Sequence, residues 1–325
     1  MMRRPVVTLV AVLAAAAIAI VAIALTRPTE EGDGRRPAAA TGDALLLLVV
    51  RTDAGPFAAV VGSTGGPVGA LAVPTEITVT VPGQGDLRLD DALALPPDDA
   101  AITVANALGV AIRHYAVIGR VRLAAIVDRV GGLDLAGTSM SGDEVVSTLE
   151  GAKRGRTLAF QIMLEQLFAG GVDWSADDLA VSDDAGRAVS ILDDARGTSV
   201  VGLPIIEPAK NIYRAEPDAV RSSIVKAFGG PDRPLVGAIV LNGSGTPGVG
   251  RAVAERIVPA GFSVVVSENA SSFDHEETLV VVGSAGDVPL GQRVRDLLGT
   301  GTVSVSVSSG LAPVTIVVGK DFGTG

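Results

Sequence analysis

The stretch "HYAVIGRVRLAAIVDRVGG" at residues 114–132 decides the fold class. Residues 114–119 are a short apolar run of the kind a buried strand carries. Residues 121–130 then bring apolar side chains back at helical spacing and stop at Gly131-Gly132, a strong C-terminal signal. A strand running straight into a helix is the unit of an α/β sheet, and the chain repeats it on both sides. Upstream, 45–50, 57–62 and 70–74 read as strands, with a hairpin-like turn "GSTGGP" at 62–67 and strand-like alternation through 76–85. Helices are expected over 98–108, 144–149, 155–168 and 218–228. Residues 170–200 read as a polar, Asp-rich loop, and 202–208 as one more strand. After "GGPDRP" (229–234) a second, smaller unit begins. It has strands at 235–243, 262–268, 278–283, 303–307 and 314–319, and helices at 248–257 and 290–298. Alternation of this kind predicts an α/β protein with a central sheet, followed by a small separate α/β domain.

Composition narrows the chemistry. The 325 residues include no cysteine and two histidines, so thiolate metal sites, disulfides, thiol catalysis and a histidine cluster are excluded. A formal charge of −10 opposes nucleic-acid binding, which needs a basic face. Residues 6–25, "VVTLVAVLAAAAIAIVAIAL", form an uncharged run of 20 that matches a bilayer core of roughly 30 Å. Arg3 and Arg4 before it keep the first five residues cytoplasmic by the positive-inside rule and send the rest of the chain outside. Ala22-Ile23-Ala24 leaves a cleaved signal as the alternative. Residues 26–43, rich in Pro, Gly, Ala and charge, read as a flexible stalk.

Residues 105–135, "ANALGVAIRHYAVIGRVRLAAIVDRVGGLDL", resemble the middle of the LytR-CpsA-Psr family, with Val127-Asp128-Arg129-Val130-Gly131-Gly132-Leu133-Asp134-Leu135 matching its Val-Asp-x-x-Gly-Gly-Val-Asp-Val signature. The resemblance covers 44–228. Residues 240–262, "VLNGSGTPGVGRAVAERIVPAGF", and the closing "VTIVVGKDF" (314–322) resemble the LytR C-terminal domain, over 235–322. The resemblance implies an LCP-like α/β sandwich behind a signal-anchor. It also implies transfer of a glycopolymer from a polyprenyl-pyrophosphate carrier to peptidoglycan, with arginines holding the pyrophosphate and carboxylates holding a divalent metal.

Residue by residue, those groups are depleted. The family's Arg-Asp pair is Thr75-Glu76, its Asp and Thr in an upstream turn fall on Pro56 and Phe57, and only Asp53 could stand for the first strand's aspartate. Its Lys and Asn are Arg88 and Asp90. In the late helix Arg156 is kept, the second arginine is Ala159, and the glutamine is displaced to Gln161; Lys153 and Arg154 alone stand for the basic stretch before it. Losing an arginine fork or a metal-binding carboxylate costs several kcal/mol at the transition state. The chain therefore reads as a catalytically degenerate pseudoenzyme of the cell membrane. It has no catalytic residues, metal or cofactor, and its anion-binding candidates are Arg88, Arg156, Asp90 and Glu76. Expected partners are a lipid-linked glycan or polyprenyl phosphate, a peptidoglycan-related glycan, or an active paralogue in cell-wall biogenesis. The alternative is an active phosphotransferase using Mg²⁺ at a site rebuilt from the same four residues.

Arg113, Arg120, Arg122 and Arg154 are further candidates for an anion site or for solvated surface. Gly243-Ser-Gly-Thr-Pro-Gly248 is a literal G-x-G-x-x-G between strand and helix, read as a tight turn rather than a dinucleotide site because the unit is short and exported. His114 and Trp174 read as packing residues, and the Asp pairs 177-178, 183-184 and 193-194 as a solvated acidic loop without a calcium-loop pattern.

Overall fold

The computed structural model describes residues 44–135, 137–152, 155–229, 234–306 and 311–323. The expected anchor (6–25) and stalk (26–43) lie outside them, as do Lys153 and Arg154 and residues 230–233 of the linker. No helix among the described residues is long and apolar enough to cross a membrane.

Strand β1 (Ala44–Thr52) organises the first unit. Its residues 44–50 are all buried. Leu46, Leu48 and Val50 enter one core while Leu45, Leu47 and Val49 enter another, as side chains alternate across the strand. Only a central strand covered on both faces accepts such a run. It pairs antiparallel with β2 (Gly55–Ser63) and parallel with β6 (Ile112–Gly119). With β3 (Gly69–Val73), β9 (Val181–Ser182) and β10 (Val200–Gly202), the six-stranded order is β10-β3-β2-β1-β6-β9. One face is covered by the hairpin β4 (Thr78–Val81)–β5 (Gly85–Arg88) and by helices α1 (Leu89–Ala92), α2 (Pro97–Leu108) and α7 (Pro217–Phe228). The other carries α3 (Arg120–Arg129), α4 (Gly142–Gly151), α5 (Arg156–Ala169) and α6 (Ala185–Asp194).

Two expectations change here. Residues 170–200 are not a loop: they hold β9, α6 and the start of β10. Ala188, Ile191 and Leu192 give α6 a buried face, and Asp184 caps it by accepting the Arg187 N–H at 2.9 Å. The strand placed at 202–208 is really Val200–Gly202. Pro204 follows, which cannot donate to a ladder, and Ile206–Ala209 (β11) instead pairs with Ile212–Arg214 (β12) in an outlying hairpin.

The second unit is a five-stranded sheet of β13 (Val236–Asn242), β14 (Phe262–Asn269), β15 (Leu279–Val282), β16 (Thr302–Val305) and β17 (Val314–Val318) in the order β14-β13-β17-β15-β16. Helices α8 (Val249–Ile257) and α9 (Val288–Leu298) pack on one face. It has its own sheet but is docked on the first unit. Ala105 of α2 lies in its core. The buried Asn106 amide brackets edge strand β14, donating to the Val264 carbonyl at 2.9 Å and accepting the Val264 N–H at 2.6 Å. Arg251 on α8 reaches Asp99 on α2 at 3.2 Å, and the Gly83 N–H donates to Ser267 Oγ at 2.6 Å.

Candidate functional site

Strands β1, β6, β3 and β10 all point the same way, so their C-terminal ends share one edge of the central sheet, where α/β proteins gather ligand-binding loops. Arg51 and the Thr52–Gly55 turn, Thr75 and Glu76 after β3, and Arg120 after β6 all lie at this edge. The start of α5 joins them there and brings Arg156 against the turn.

Arg156 is the unusual group. Its guanidinium lies 4.6 Å from the centroid of the Phe57 ring, which itself stacks on Phe160 at 5.1 Å. Its Nε and Nη2 are buried and have no hydrogen-bond partner. Gly55, at φ 110°, passes alongside so closely that a Cβ there would touch the guanidinium at 3.5 Å. A guanidinium cannot shed its proton in a protein, so buried N–H groups without an acceptor leave a charge to be compensated. An aromatic face supplies about 2 kcal/mol at best and accepts neither N–H.

The other candidates are engaged with one another. Arg88 grips Asp90 through a two-point fork, Nε to Oδ1 at 3.0 Å and Nη2 to Oδ2 at 2.7 Å. That hydrogen bond outweighs the effect of burial and, with the charges of Asp90, Asp91 and Glu76, holds the Arg88 pKa above its usual value. Asp90 also accepts the Asp91 N–H. The Asp90 N–H donates to the Thr75 carbonyl, and the Thr75 hydroxyl to that of Pro56, at 2.8 and 3.2 Å. A chain of contacts therefore leads from Arg88 to the residue beside Phe57. The Arg88–Asp90 pair sits on the α1 face of the sheet and Arg156 on the α5 face.

Arg120 is surrounded by Asp53 at 3.5 Å, Glu150 at 3.2 Å and Asp143 at 3.9 Å. Arg122 is exposed. Gln161, the displaced glutamine, ties α5 to the Val200 carbonyl at 2.7 Å. Two groups escaped the sequence reading. Phe57 was taken only as a lost threonine, yet its ring is the partner of Arg156. Arg51 closes β1 and donates to the Leu93 carbonyl at 3.3 Å; a lone arginine ending an apolar strand was the available signal.

Among the described residues no group of three or more acidic or histidine side chains is placed to hold a metal. Of the family-aligned carboxylates, Asp90 has both oxygens bonded to Arg88.

One member of each Asp pair is engaged, while Asp177, Asp184 and Asp194 are exposed. Asp178 is buried and bonds Arg129, Asp183 takes both the Tyr115 N–H and His114 Nδ1 at 3.0 Å, and Asp193 pairs with Arg196 at 2.9 Å. His114 is thus hydrogen-bonded to Asp183 near the start of β6 and half-buried there. Trp174 is buried against Phe168, as expected. The glycine loop at 243–248 forms the tight turn, and the His275 and Phe273 rings cover Gly243 and Gly245, where a pyrophosphate would have to approach.

Residues 237–322 match the family model LytR cell envelope-related transcriptional attenuator. The LytR C-terminal resemblance read from residues 240–262 and 314–322 is borne out by that match. No curated protein matches the chain. Among solved structures, a transcriptional regulator from Enterococcus faecalis is similar at 17% identity, covering 58% of this chain and 89% of its own, with a TM-score of 0.47. The LytR-Csp2A-Psr enzyme from Actinomyces oris is 16% identical over 59% of this chain and 91% of its own, at 0.43. TagT of B. subtilis is 14% identical over 63% and 96%, at 0.46.

Proposed function

We propose that this is a membrane-anchored, extracytoplasmic cell-envelope protein that holds a lipid-linked glycan precursor, or presents it to an active paralogue, without transferring it. The reading rests on one observation, the half-buried Arg156 beside Phe57, whose guanidinium Nε and Nη2 are buried without partners. A phosphate or pyrophosphate oxygen matches such a fork, and reaching it requires the turn at Gly55 alongside to shift. The LytR C-terminal match at 237–322 supports the cell-envelope setting. Holding rather than transferring follows from the other groups: transfer needs further positive charge on the leaving pyrophosphate, and Arg88 and Asp90 neutralise each other.

Calorimetric titration of the chain with a polyprenyl pyrophosphate, with and without Mg²⁺, tests this. Binding that is indifferent to Mg²⁺ and falls at least tenfold in Arg156→Ala is expected, since a charge-assisted hydrogen bond contributes about 1.5–3 kcal/mol. Mg²⁺-dependent binding with release of the glycan would replace the holder by the transferase. Absence of binding would remove the lipid-carrier role.

A further inference from the structure

The junction between the two units encloses a second cleft, at the opposite end of β1 from Arg156. It measures about 420 Å³, within the range of small-molecule sites. Its floor is the start of β1 with Ser63 and Thr64 at the end of β2, and its walls are residues 109–111 after α2, Ile224 of α7, Leu235 before β13 and the turn 259–261. Leu45, Val110, Ile224 and Leu235 give it an apolar side. Two arginines, Arg113 of β6 and Arg293 of α9, line it, one from each unit.

Three features go beyond packing. First, none of the described residues lining the cleft is acidic, in a chain with 36 acidic and 26 basic residues. The ionised groups among the described lining residues are therefore both cations, and their summed field favours an anion there. Second, the two arginines are prepared differently. Arg293 is fixed, stacked 5.4 Å from the Phe262 ring centroid and bonded to the Ala260 carbonyl. Arg113 is exposed and forms no ion pair among the described residues. Third, the Thr64 hydroxyl is buried in the lining without a hydrogen-bond partner. A buried hydroxyl normally finds one.

We infer that this cleft binds a small organic anion with an apolar body, its phosphate or carboxylate head between Arg113 and Arg293 and its body against Leu45, Val110 and Leu235. The site is independent of Arg156. Because each unit contributes one arginine, the ligand would also brace the two units against each other.

Equilibrium dialysis of the full chain in detergent, carrying Arg156→Ala so that the other anion site is silent, tests it with four probes. Phenyl phosphate and benzoate carry both head and body; inorganic phosphate and benzyl alcohol carry one each. We expect phenyl phosphate or benzoate to bind at least tenfold more tightly than inorganic phosphate or benzyl alcohol. Arg113→Ala should weaken that binding tenfold or more. It removes an exposed side chain, so loss of fold does not confuse the result. Arg293→Ala should do the same, with Arg293→Lys intermediate. Which headed probe wins tells phosphate from carboxylate. Equal binding of all four probes, or binding unchanged in Arg113→Ala, overturns the site. Failure here leaves the Arg156 reading untouched, and failure of polyprenyl pyrophosphate binding leaves this one untouched.

Discussion

Asp178 shows what a single side chain carries. It is buried, accepts both arms of the Arg129 guanidinium at 2.9 and 2.6 Å, and takes the Ser175 N–H at 2.9 Å. Burial alone would push its carboxyl up; the Arg129 fork and the Ser175 N–H together overcome that and hold it below the usual aspartate value. A carboxyl whose pKa is depressed by folding stabilises the fold above its unfolded value, about 3.9, and loses that contribution as pH falls through the lower folded value. Chemical denaturation at pH 7 and pH 3 should therefore show Asp178→Asn destabilising the protein by about 2 kcal/mol at pH 7, with the gap to the parent narrowing in acid. An unchanged gap would mean that the carboxylate is not what Arg129 needs. The same residue shows where reading a sequence stops. Asp177-Asp178 looked like one of three solvated pairs because composition cannot reveal that one member points inward. Arg88, Asp90 and Arg156 were found from their place in the chain. That the first two would close on each other and the third would be left over a phenylalanine depends on side-chain direction, which no spacing encodes.

At the scale of elements, strands and helices were legible wherever the apolar period was clean. β1 is seven consecutive buried residues, and α3 stops at its glycine pair. Helix α6 was missed because its three buried residues sit between two Asp pairs that dominate the local composition. Gly109 shows a junction between elements that sequence hints at but does not explain. It ends α2 in the left-handed region at φ 66°, and a Cβ on it would lie 2.2 Å from Leu235 Cδ2. A helix-ending glycine is ordinary; one on which the next domain's first apolar side chain rests is required twice over. Gly109→Ala should cost about 2–3 kcal/mol, the left-handed backbone and the overpacking adding together. Leu235→Ala in the same chain should recover part of that loss in thermal melts. No recovery would mean that the backbone alone sets the cost.

Across the whole molecule, the two units were read as separate because each has its own run of strands and helices, and no local pattern shows that they touch. The hydrogen bonds across the contact join residues 152 to 184 apart in the chain. An edge strand leaves a row of N–H and C=O groups without partners, which proteins must cover. Here the side-chain amide of Asn106 stands in for a neighbouring strand, meeting both polar groups of Val264 while Ala105 enters the second core. Near it, Gly250 approaches Gly83 so closely that a Cβ would come within 2.7 Å of the Gly83 backbone. A junction built from buried hydrogen bonds and backbone contact couples the units, so they should melt together. Calorimetry of the parent should give one endotherm. Asn106→Ala leaves the Val264 N–H and C=O buried without partners, at about 2–4 kcal/mol for the two, and that loss falls on the junction rather than on either core. Its expected result is two endotherms, the second unit unfolding at its own temperature. Two resolved transitions already in the parent would show the units to be independent, and the cleft between them would then have no fixed walls for a ligand to meet.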